Sequence, residues 1–160
     1  AETIAAEKLS TTNKLARFVS AQNQYSLLTR DIESDLVPAC EAHGLGILPY
    51  FPLESGLLTG KYRQGQPLPE GSRFARWRGG GAFASPARYA IVEQLAAWGE
   101  ARGRSVLDIG FGWLAARPAV ASVIAGVTRA DQLAANVAAA GWQPTAAEMA
   151  EIIAIATASP

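Results

Sequence analysis

The sequence predicts an α/β fold built on a parallel sheet, and three observations carry that reading. Short apolar runs rich in β-branched or aromatic residues alternate with longer stretches of helical spacing, the pattern of βα units. The helical stretches are punctuated by residues that start and stop helices. The chain has 160 residues, 49% hydrophobic and 18% charged, enough to bury the core of one domain of ordinary size.

The elements follow in order. Residues Ala1 to Leu15 read as a helix already under way, so the protein is expected to begin upstream. Arg17 to Asn23 (RFVSAQN) is the first strand. A helix runs from about Ser34, a plausible N-cap, to His43, and Gly44 ends it because glycine accepts the left-handed conformation that closes many helices. Gly46 to Tyr50 (GILPY) is the next strand. The long segment Phe51 to Ser85 holds Pro52, Pro67 and Pro69, with Pro86 directly after it, and Gly79, Gly80 and Gly81 in a row. Loops of this length inside compact domains are usually functional or disordered. Helical spacing returns from Pro86 to about Arg102, with Tyr89, Val92, Leu95 and Ala96 on one face. A second helix spans Ser105 to Ala116 and stops at Arg117 and Pro118. Val120 to Ile124 (VASVI) reads as the last strand, Thr128 to Ala139 as a helix, and Thr145 to Ala156 as a final amphipathic helix opened by a capping box, Thr145 with Glu148. That makes about three parallel strands. A parallel sheet normally has more strands and both faces covered, so this layer is expected to leave edge groups unpaired.

Composition narrows the function. Fourteen basic residues balance fourteen acidic ones, so no general attraction to nucleic acid or anionic membrane is expected, and any anion site must be local. Cys40 is the single cysteine, which excludes an internal disulfide and fits a reducing, cytoplasmic setting. No run reaches about 18 consecutive apolar residues, and no basic region followed by an apolar run opens the chain. His43 lies at a helix C-terminus and Cys40 one turn before it; neither has the partners that metal or acyl-transfer chemistry needs, so both read as structural and no metal is expected. Asp31, Glu33 and Asp35 lead into a helix and read as a solvated cap.

Two stretches have the makings of a ligand site. Leu48 to Tyr62 (LPYFPLESGLLTGKY) puts Tyr50 at a strand end and follows it with Pro52, Gly56 and Gly60. A strand-end aromatic can stack on a flat heterocycle, and small residues after it let backbone N–H groups approach phosphates; on spacing alone, packing is the commoner use of such a ring. Gly126 after a strand, followed by a helix start, presents unpaired N–H groups and a positive dipole end. Arg129 in that first turn opposes the dipole, so it either faces an anion or is a solvated surface arginine. Gln132 and Asn136 share a face one turn apart; such residues contact a ligand or simply face water. Arg76 to Ala82 lacks the G-x-x-x-x-G-K-[ST] pattern of a phosphate loop and reads as a flexible lid or substrate loop. Lys61 and Arg73 could both help hold phosphates, although an exposed loop charge is the commoner outcome; of the two, only Lys61 is kept, as a weak phosphate-binding candidate.

Three motifs in order resemble those of the aldo-keto reductase family: Gln22 to Leu28 (QNQYSLL), Tyr50 to Tyr62 (YFPLESGLLTGKY), and Trp113 to Val127 leading to Asp131, Gln132, Leu133 and Asn136. Together they cover almost the whole chain. The resemblance implies the C-terminal half of a TIM (β/α)8 barrel, with residues 1–160 forming the C-terminal part of one NADP-dependent oxidoreductase domain. It implies NADPH as cofactor and a small carbonyl compound as substrate. By the same resemblance Gln22 binds the nicotinamide carboxamide, Tyr50 stacks on the nicotinamide, and backbone at Phe51, Leu53 and Ser55 lines the pyrophosphate. Gly126, Thr128, Arg129, Gln132 and Asn136 surround the adenosine and its 2′-phosphate. The family's catalytic Asp, Tyr, Lys and His belong to the preceding half, so no catalytic residue is assigned here, and Lys61 and Tyr62 occur at the wrong strand for those roles. Ala125 stands where the family commonly has proline, and Thr128 where many members have a second basic residue, which leaves room for some use of NADH. Two alternatives stand beside the enzyme: a cofactor-binding partner, as in the family's potassium-channel β subunits, although nothing in the sequence points to a channel, and an inactive half-barrel that self-associates through open strand edges.

Overall fold

The computed structural model describes residues 2–77 and 80–158. Ala1 of the predicted first helix, and Arg78 and Gly79 of the glycine-rich stretch, lie outside the described residues. Two strands, β1 (Ser20–Gln24) and β2 (Gly46–Tyr50), pair in parallel with Gln22 opposite Leu48 and Gln24 opposite Tyr50. The described residues also form seven α-helices: α1 (Glu2–Thr12), α2 (Leu36–His43), α3 (Arg73–Arg76), α4 (Pro86–Glu100), α5 (Val106–Ala115), α6 (Ala130–Ala140) and α7 (Ala146–Thr157). The chain is α/β, as expected. The described residues form a two-stranded open sheet where about three strands were predicted.

The missing strand has a specific cause. Residues 119–124 run beside β2: Ile47 N–H donates to the Ala119 carbonyl at 2.7 Å, and Ala121 N–H donates back to Ile47 at 3.0 Å. The next bond of a parallel ladder would need an N–H from position 49, and Pro49 has none. The register slips there, Ile124 rather than Val123 donating to the Pro49 carbonyl at 3.0 Å, so only a single bridge, Ile47 to Val120, survives. Gly46 permits the close approach, since a Cβ there would lie 2.6 Å from that of Ala121.

Pleating gives the sheet two unlike faces. Ile47 and Pro49 are buried against the helices. Ser20, Gln22 and Tyr50 on the other face are exposed. The core behind β2 gathers Tyr25, Leu27, Ile47, Leu57, Leu58, Leu95, Ile109, Trp113 and Leu114, with α5 packed between α4 and α6 and α7 closing over α4. The predicted face of α4 is the buried one: Val92 and Leu95 are fully enclosed, and Tyr89 and Ala96 pack against the core.

Helix ends follow local chemistry. Gly44 caps α2 at φ 67° with its N–H on the Cys40 carbonyl, and Thr145 and Glu148 form the reciprocal capping box of α7. Ser34 is not the cap of α2; it ends a short 3-10 turn, its hydroxyl donating to the Asp31 carbonyl at 3.0 Å, and Asp35 precedes the helix. Glu33 departs from the solvated cap expected of it. Its carboxylate accepts from Tyr25 Oη at 2.7 Å, Arg30 Nη2 at 2.7 Å and Arg117 Nη2 at 2.9 Å. Partial burial raises its pKa, but the Arg30 and Tyr25 hydrogen bonds and the Arg117 charge outweigh that and hold it below the ordinary carboxylate value. No helix among the described residues is long and apolar enough to cross a membrane.

Candidate functional site

At the C-terminal end of β2 the chain turns sharply through left-handed backbone. Phe51 has φ 53°, Glu54 49°, Ser55 57° and Gly56 101°. Three non-glycine residues in this region within five positions are costly, and such strain persists only where the surroundings impose it. The turn gives one wall of a cavity of about 720 Å³. Residues 124–129 and the first two turns of α6 line it as well, together with Lys61 and the segment from Pro69 to Arg76.

Ten of the eleven residues singled out in the sequence line this one cavity: Tyr50, Phe51, Leu53, Ser55, Lys61, Gly126, Thr128, Arg129, Gln132 and Asn136. They come from stretches separated by more than sixty positions, so their meeting is a property of the fold. Gln22 is the exception. It lies outside the cavity on β1, on the same sheet face as Tyr50 and one pleat behind it.

The cavity is cationic although the chain as a whole is neutral. Lys61, Arg73, Arg76 and Arg129 line it against one carboxylate, Glu70. Lys61, Arg73 and Arg76 make no ion pair among the described residues. The Lys61 ammonium lies over Gly56, where a Cβ would come within 3.2 Å of Nζ. Ser55 Oγ is buried and has no hydrogen-bond partner among the described residues, which leaves a polar atom at the wall awaiting one.

Arg129 is the N-cap residue of α6 rather than part of its first turn, and its guanidinium meets Asp131 through Nε on Oδ1 and Nη2 on Oδ2, both at 2.9 Å. The anion that its position called for is therefore supplied within the chain. That hydrogen bond holds the Asp131 carboxyl below its usual pKa and raises that of Arg129. Gln132 turns its side-chain oxygen back onto Thr128, accepting from the backbone N–H at 2.9 Å and facing the hydroxyl at 3.3 Å.

Sequence reasoning passed over part of the wall. Arg76 was not singled out as a binding residue, and Arg73 was weighed as a phosphate contact but set aside as an exposed loop charge; both reach the cavity from α3, a single turn capped by Ser72, whose hydroxyl accepts from Ala75 N–H at 3.3 Å. Ser72 followed by arginines three apart was the available signal. In the glycine-rich stretch read as a flexible lid or substrate loop, Gly80 is buried against the Phe74 ring. No group of three potential metal ligands occurs among the described residues.

The fold and the site thus define an α/β protein with a cationic cavity at the carboxyl end of a parallel strand and the start of a helix in its wall, a position where α/β folds commonly place their ligand sites. The particular family is equally definite. The chain belongs to the Aldo/keto reductase family, whose sequence profile matches residues 2–157. Over 140 residues, 84% of the chain, it is 34% identical to a Schizosaccharomyces pombe protein that carries the name of a voltage-gated potassium channel β subunit. It is 35% identical to L-glyceraldehyde 3-phosphate reductase of Escherichia coli O157:H7 over 74% of the chain, and 30% identical to NADH-specific methylglyoxal reductase of Escherichia coli K12, again over 74%. The chain spans 40%, 35% and 36% of the length of these three proteins.

Proposed function

We propose that this chain supplies the cofactor-binding part of an NADPH-dependent aldo-keto reductase that reduces aldehydes or ketones to alcohols. The observation that carries the reading is the convergence of ten of the resembling residues on one cationic cavity. The residues fit the group: Lys61, Arg73 and Arg76, which have no carboxylate partner among the described residues, suit phosphates, and the Ser55 hydroxyl, unpartnered among those residues, offers a donor where a phosphate oxygen would accept.

Each residue then has a task. The exposed Tyr50 ring presents a flat face at the strand end for the nicotinamide, and Gln22, on the same sheet face, offers its amide to the carboxamide. The turn at Phe51, Leu53 and Ser55, with Lys61 above it, holds the pyrophosphate. Gly126, Thr128, Arg129, Gln132 and Asn136 hold the adenosine end, with Arg129 on the 2′-phosphate. NADPH when bound supplies the hydride for the carbonyl carbon. The proton for the carbonyl oxygen is assigned to the family's tyrosine, held with its Lys, Asp and His on residues outside this chain, so this chain alone binds cofactor without turnover.

A second reading draws on the relative named as a channel subunit: a cofactor-binding partner protein in which turnover is secondary. The self-associating half-barrel draws on the open strand edges.

The test is a fluorescence titration of the purified chain with NADPH. Saturable binding that adenosine 2′-monophosphate displaces is the expected result. Absence of binding, or binding that the nucleotide leaves untouched, overturns the assignment of this cavity.

A further inference from the structure

We infer that Glu54 and Arg88 are positioning residues that lock the left-handed turn of the cavity wall into its ligand-holding shape; the inference rests on the cofactor reading above. Glu54 is fully buried, yet it occupies a backbone conformation that favours glycine. Its side chain explains the choice. One carboxylate oxygen accepts the Ser26 hydroxyl and the other accepts Arg88 Nη1. Arg88 Nη2 reaches on to the Leu28 carbonyl at 3.3 Å and the Thr29 hydroxyl at 3.1 Å. Ser26 Oγ in turn accepts the backbone N–H groups of Leu28 and Thr29 at 3.1 and 3.0 Å. Three separate parts of the chain, the loop after β1, the turn after β2 and the first turn of α4, are tied at one carboxylate.

The burial makes the tie directional. Swinging Glu54 out to relax its backbone would leave the half-buried Arg88 without its anion and the Ser26 hydroxyl without its acceptor, and an uncompensated buried charge is strongly unfavourable. The side chain points away from the cavity and Arg88 neutralises it, so the carboxylate does not oppose a phosphate on the other side of the turn. Ser55, the next residue, shares the left-handed conformation and carries the unpartnered hydroxyl. Fixing Glu54 therefore fixes Ser55 before any ligand arrives, which removes an ordering cost from binding.

The test compares wild type, Glu54→Gln, and the double variant Glu54→Leu with Arg88→Leu. The double variant guards against simple unfolding, because apolar replacement of a buried ion pair is often neutral or stabilising. Dissociation constants are measured for NADPH, which spans the turn, and for adenosine 2′-monophosphate, which probes the α6 end alone. Hydrogen exchange is followed over residues 53–58. Both variants are expected to bind NADPH about tenfold more weakly and the mononucleotide within about twofold of wild type, with faster exchange confined to the turn. Unchanged NADPH affinity, or equal proportional loss of both ligands, overturns the positioning role. Failure of the wild-type chain to bind NADPH instead overturns the cofactor reading, and this inference with it.

Discussion

Arg129 meets Asp131 before it meets any ligand, and both side chains of the pair are exposed. An ion pair in open solvent is weak and screened by salt, so a 2′-phosphate, with up to two charges, can displace the carboxylate. Replacing Arg129 by alanine is therefore expected to weaken NADPH roughly tenfold while leaving NADH nearly unchanged, as measured by parallel titrations. Equal losses for both cofactors would rule out contact with the 2′-phosphate. Arg129 was legible because it follows a glycine at a strand end. Its pairing with Asp131 was not, since two residues at that spacing share no face in a regular helix, and the contact forms only because Arg129 is the extended N-cap. Glu54 was hidden for a related reason: its partners Ser26 and Arg88 lie 28 and 34 positions away, and nothing local marks a glutamate in a glycine-like turn as buried.

Among the elements, helices were read more closely than strands because their ends are set by neighbours in sequence. Gly44 and the Thr145–Glu148 box each act within a few residues. The segment 120–124 has strand composition, but whether it joins the sheet depends on Pro49 across the gap, which withholds the donor its ladder requires. Proline was visible in GILPY; which side of the strand it faced was not. The long segment after β2 is similar. Among its described residues the rings of Tyr62 and Phe74 stack, 4.0 Å apart at 6°, with Phe74 N–H donating to the Tyr62 hydroxyl at 3.2 Å, and Gly80 lies against the Phe74 ring. A Cβ at Gly80 would lie 2.7 Å from that ring, at φ 83°. Gly80→Ala is thus expected to destabilise the chain by about 1–3 kcal/mol, read as a lower Tm. An unchanged Tm would show that the stack does not hold the loop.

At the scale of the molecule, the sheet is closed on one face and open on the other, and its two edges are not alike. The edge facing residues 119–124 is partly satisfied by three backbone hydrogen bonds. The outer edge of β1 has no strand beside it among the described residues, and Leu15, Phe18 and Val19 are exposed next to it, Val19 at 76%. In a (β/α)8 barrel both edges are covered by neighbouring βα units. A second copy of this chain offers the same unpaired edge, and an exposed edge with apolar flanks is a template for pairing. Sedimentation velocity on the purified chain should therefore show its mass rising from monomer towards dimer with concentration. Val19→Lys places a charge beside the edge, a common natural device against such pairing, and should restore the monomer without lowering NADPH affinity, since Val19 lies outside the cavity. A monomer at every concentration would mean that the edge is protected in the free chain. Association that the lysine leaves intact would move the contact to the exposed Leu133 and Val137 of α6.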